Sequence, residues 1–71
     1  MKIQHHFPTR TPFGIQETFI TDSGQIELWG SDKDGYRWRF TSVYQFPTSD
    51  QKKYYKRPDA FEAAASFVNE S

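Results

Sequence analysis

Four groups of side chains in this 71-residue chain have types and spacings that bear on chemistry: His5-His6, the run Asp32-Lys33-Asp34-Gly35, the carboxylates Glu17 and Glu27, and an arginine and aromatic set around Trp29. Adjacent imidazoles can chelate a borderline metal, but a closed zinc site takes three or four ligands and no third is implied here. The Asp32 run opens like a calcium loop. The bidentate Glu that such a loop needs at its twelfth position is replaced by Val43, so a hairpin turn is the better account. No metal or other cofactor is expected.

Glu17 and Glu27 are read onto one sheet face, where two close carboxylates can split their pKa values for acid–base work. Arg37 and Arg39 would neutralise them across the strands, giving an exposed ion-pair ladder worth about 0–1 kcal/mol per pair. The chain carries no nucleophile elbow and no glycine-rich phosphate loop. No catalytic residue is assigned, and an enzyme is not expected.

The sharper signal is a binding set. Phe19, Trp29, Arg37 and Arg39 are expected to cluster on the outer sheet face, joined by Lys53 and Tyr55 if residues 51–56 pair alongside as a further strand. Aromatic residues and arginine are the types enriched at binding hot spots. They also stack on bases and contact phosphates, so protein and nucleic acid both remain candidate partners. An arginine lying on Trp29 as a cation–π contact, worth about 0.5–1 kcal/mol, would explain the same residues without any ligand.

The elements that must hold these residues follow from alternation. Pro8 and Pro12 disfavour helix before them, so residues 1–13 read as an extended N-terminal arm and 14–71 as a single domain. Ile15 to Thr21, the turn Asp22-Ser23-Gly24 and Gln25 to Gly30 form a first hairpin. Ser31 to Gly35 closes a second, in which Leu28 faces Trp38 and Ile26 faces Phe40 on one side, while Trp29 faces Arg37 and Glu27 faces Arg39 on the other. Tyr36 to Tyr44 is the longest strand expected, with its even-numbered aromatics toward the core. Phe46 to Asp50 reads as a loop. From Pro58 the period changes to that of an amphipathic helix, with Phe61, Ala64, Ala65 and Val68 as its apolar stripe and Phe67 at one flank. The expected fold class is α+β: an antiparallel β-meander of three to four strands with one C-terminal α-helix packed on one face.

Size and charge set the outer limits. A chain this short buries roughly 60% of its unfolded surface, so two Trp, four Tyr and seven Phe must supply bulk that a single Leu cannot. Nine basic and nine acidic side chains cancel, whereas nucleic-acid binders usually carry a positive excess. A local basic patch persists in Lys52, Lys53, Lys56 and Arg57. The absence of cysteine suits a reducing cytoplasm, and neither an export signal nor an apolar run of about 20 residues is present, so no membrane association is expected.

Lys33-Asp34-Gly35-Tyr36-Arg37-Trp38-Arg39-Phe40, with Tyr55 through Val68 downstream, resembles the YegP-like family of small bacterial domains over roughly the last 45 residues. The resemblance implies a three-stranded meander followed by a helix and carries no established biochemical role. This chain differs in having a longer Phe46 to Gln51 loop, no Asn-Gly turn, and an added N-terminal arm and strand. The strand Tyr36 to Phe40, the basic Lys52 to Arg57 segment and the Ala-rich helix are also similar to the arm-type DNA-binding domains of phage integrases. That second resemblance implies base or phosphate contacts from Arg37, Arg39, Lys53 and Tyr55. The function expected first is a non-enzymatic adaptor or inhibitor that binds a protein through the outer sheet face or a strand edge. DNA binding through the sheet face is the alternative, and self-association through strand edges is a third.

Overall fold

The computed structural model describes residues 1–70, with the backbone alone at Gln45. Strands β1 (Ile3–Thr11), β2 (Gly14–Thr21), β3 (Gln25–Ser31), β4 (Gly35–Ser42) and β5 (Gln45–Thr48) precede one helix, α1 (Arg57–Glu70). The strands form one antiparallel sheet in sequence order, and α1 packs on β3 and β4. This is the α+β meander with a C-terminal helix, built from five strands rather than three or four.

The β3–β4 register is the one that chemistry demanded: Ile26 opposite Phe40, Leu28 opposite Trp38, Glu27 opposite Arg39 and Trp29 opposite Arg37. Even-numbered residues therefore point under the helix. Ile26, Leu28, Trp38 and Phe40 are at most 2% exposed.

β2 corrects the sequence reading. Its turn to β3 is tight, with the Thr21 N–H donating to the Gly24 carbonyl at 2.8 Å and the Thr21 hydroxyl donating to that same carbonyl at 2.7 Å. This closure sets Phe19 opposite Ile26 and Glu17 opposite Leu28. Strand side chains alternate faces, so Phe19 and Glu17 both lie on the helix side. Phe19 is 4% exposed and belongs to the core instead of the outer face.

Two further segments behave differently from expectation at the sheet edges. The N-terminal segment is extended, but it pairs with β2 from Ile3 opposite Thr21 to Thr11 opposite Gly14 and so becomes a full edge strand. At the other edge the segment after Phe40 turns at Val43-Tyr44, and Gln45–Thr48 pairs with β4 where a loop was expected. Residues 51–56 do not form a strand; Tyr54 alone bridges Tyr36, through N–H···O contacts of 2.7 and 2.9 Å.

On α1 the buried line is Ala60, Ala64 and Val68, spaced i, i+4, i+8. Phe61 and Phe67 flank it, half-buried, with ring centroids 4.9 Å from Phe19 and 5.4 Å from Trp38. The helix thus keeps Ala64 and Val68 of the expected stripe inward but is turned slightly, so that Ala60 is buried while Phe61 and Ala65 are only half-buried. Two alanines at the contact bring its backbone close to the sheet, and the aromatics fill the sides.

Candidate functional site

Among the described residues no element covers the face of the sheet away from α1, and alternation sorts its side chains into cross-strand rows. Thr9, Gln16, Trp29 and Arg37 form one; Phe7, Thr18, Glu27 and Arg39 form the next. Trp29, 37% exposed, sits beside Arg37. The Arg39 guanidinium donates to both Glu27 carboxylate oxygens at 2.9 Å, so its charge is already satisfied. Arg37 makes no ion pair among the described residues and is exposed.

A shallow depression of about 510 Å³ opens here, lined by Phe13, Gln16, Trp29, Arg37, Arg39 and Asp34 among others. Phe13, 87% exposed, stands as a ridge between it and a second depression of about 590 Å³ around the sheet end, which Arg10 and Lys33 also line. Both hollows are open, suited to side chains of an extended segment more than to an enclosed small molecule.

Two glycines shape this end. A side chain at Gly30 would bring its Cβ to 2.1 Å from the Gly35 carbonyl oxygen, so the β3–β4 backbones approach closely only because it has none. Gly35 takes φ +84° to close the turn, and the Lys53 methylenes occupy the space where its Cβ would be. Lys53 is therefore carried to the β4 rim of this face. Tyr55 is exposed, but it lies outside any paired strand. Of the six residues expected to bind a partner, Trp29, Arg37 and Arg39 share the face, Lys53 borders it, Tyr55 is displayed separately and Phe19 is in the core.

The paired-carboxylate reading is overturned, because Glu17 and Glu27 occupy opposite faces. Glu17 is 5% exposed and is held by Arg57, whose Nη2 donates to Oε1 at 2.7 Å and whose Nε donates to Oε2. The His6 ring adds a contact from Nε2 to Oε1 at 2.7 Å and stacks on Phe19 with centroids 4.3 Å apart. The Arg57 hydrogen bond holds the Glu17 carboxyl below its ordinary range against the opposing effect of burial, with His6 assisting. Glu17 thereby ties β1, β2 and α1 together. His5 points to the other face, its ring near Phe7, so the two imidazoles diverge and do not form a chelate.

Two tyrosine–carboxylate pairs stiffen the loops. The Tyr36 hydroxyl donates to Asp32 at 2.7 Å and the Tyr54 hydroxyl to Asp50 at 2.5 Å. Burial raises the Asp50 carboxyl, and the Tyr54 hydroxyl and Lys52 N–H outweigh it, leaving the group below its usual range. The Trp38 indole N–H is buried without an acceptor at hydrogen-bonding geometry, yet it lies close enough to Asp50 to add to that depression.

Phe7, Phe13 and Gln16 are outer-face residues that sequence reasoning did not assign. Phe7 becomes legible only once β1 is known to be a strand, and Phe13 only once the Thr11–Gly14 turn is placed beside Trp29. Among the described residues no helix is long and apolar enough to cross a membrane. Comparisons with family models, with curated proteins and with solved structures found no match for this chain.

Proposed function

We propose that this chain is a non-enzymatic protein-binding module, an adaptor or inhibitor, that docks an extended segment of a partner on its outer sheet face. The observation that carries the reading is the Trp29–Arg37 neighbour pair: an exposed indole beside a guanidinium that makes no ion pair among the described residues, while Arg39 and Arg57 are both engaged. Such a pair fits a segment that offers a carboxylate next to an apolar side chain. The carboxylate pairs with Arg37, with Lys53 at the rim, and the apolar group lies against Trp29 and the Phe13 ridge. The basic Lys52 to Arg57 segment also favours phosphate, but Glu27 already occupies Arg39 and the chain as a whole is neutral, which weighs against DNA.

A random peptide library displayed on phage and panned on the wild-type chain tests this. Enrichment of Asp or Glu beside an aromatic or aliphatic residue is expected, and Trp29→Ala and Arg37→Ala should each weaken a selected peptide by about thirtyfold or more, the signature of a hot spot. Peptides indifferent to both substitutions would overturn the reading. So would the absence of acidic enrichment together with binding of random duplex DNA that falls steeply as salt rises.

A further inference from the structure

We infer that both edges of this sheet are closed to strand addition by a second copy of the chain, so that it stays a monomer in solution. In an antiparallel sheet each residue turns its N–H and C=O to one side, and successive residues alternate. Thr21 bonds toward β3 through Gly24, whereas the Asp22 N–H donates toward β1, to the Lys2 carbonyl at 3.1 Å. Carrying that alternation back along β2 turns Glu17 toward β3 and leaves its β1 partner, Pro8, with its backbone nitrogen on the open edge. The open edge thus offers N–H groups at His6 and Arg10 and a proline ring between them.

An incoming strand would lose the central hydrogen bond and meet that ring, and the bulge between Ile3 and His5 bends the same edge. Nine residues make β1 long enough to be a pairing template, which is the circumstance in which such a block matters. The opposite edge is guarded in its own way. β5 is four residues long, contains Pro47 and is bulged against β4, and beyond it both backbone groups of Tyr36 are taken by Tyr54.

Light scattering on the wild-type chain, from about 10 μM to about 1 mM, should return the monomer mass of 8.4 kDa throughout, with the His6 and Arg10 amides exchanging freely as unpaired edge groups do. Pro8→Val restores the missing donor without touching the core. It should raise the mass toward twice that value with increasing concentration and slow exchange at the same two amides, and Pro47→Val should do less because β5 is short. A wild-type dimer in this range, or protection of His6 and Arg10 in the wild type at high concentration, would overturn the inference. A folded Pro8→Val, Pro47→Val double variant that stays monomeric would overturn it equally.

Discussion

Glu17 is the residue where sequence position and physical role diverge most. It is a carboxylate in mid-strand whose partners come from β1 and, forty residues away, from α1. Because its folded pKa lies below the ordinary value of 4.5, the unfolded chain binds the proton more readily, and the stability this group supplies is complete above about that pH and lost as pH falls through the folded value. Arg57 and His6 are each more than a third exposed, so water screens part of the interaction, and removing the carboxylate should cost about 1–2 kcal/mol, below the figure for a fully buried pair. Glu17→Gln is therefore expected to lower the urea midpoint at pH 7 by that equivalent and to flatten the decline of stability below pH 4.5. A variant whose acid-side decline matches the wild type would show that other carboxylates govern it.

At the level of elements, the helix makes a prediction that separates its observed seating from the expected one. Ala64 is fully buried against the sheet, whereas Ala65 is only half-buried. Ala64→Leu should overpack the contact and cost about 1–3 kcal/mol, while Ala65→Leu should stay within about 1 kcal/mol, as read by thermal or urea unfolding. Equal costs would mean that the helix rotates freely on the sheet. The same level shows what was legible. The β3–β4 hairpin could be read to the residue because charge pairing on one face and burial on the other agree on a single register. β2 could not: in Ile-Gln-Glu-Thr-Phe-Ile-Thr both parities carry an apolar residue, and the buried Glu17 looks solvent-facing until Arg57 is in place. β1 hid for a different reason. All nine of its residues are exposed, so no alternation marks it, and its prolines suggest an arm although Pro8 needs only an open edge on its nitrogen side.

For the molecule as a whole, the decisive asymmetry is that one face of the sheet is roofed by α1 and the other is bare, and the two tryptophans report on one face each. Trp38 is 1% exposed beneath the helix; Trp29 is 37% exposed beside Arg37. Trp29→Phe leaves Trp38 as the sole indole, and its emission should be blue and poorly quenched by acrylamide, whereas Trp38→Phe leaves Trp29, red-shifted and readily quenched. Trp38→Phe keeps most of the buried volume and removes an N–H that has no acceptor at bonding geometry, so it should fold with a cost near or below about 1.5 kcal/mol. A library-selected acidic peptide should then shift and protect Trp29 in the Trp38→Phe background and leave Trp38 unchanged in the Trp29→Phe background. Trp29 emission that ignores the peptide while isothermal titration still records binding would move the docking surface off this face. Arg37 would then be an ordinary solvated cation.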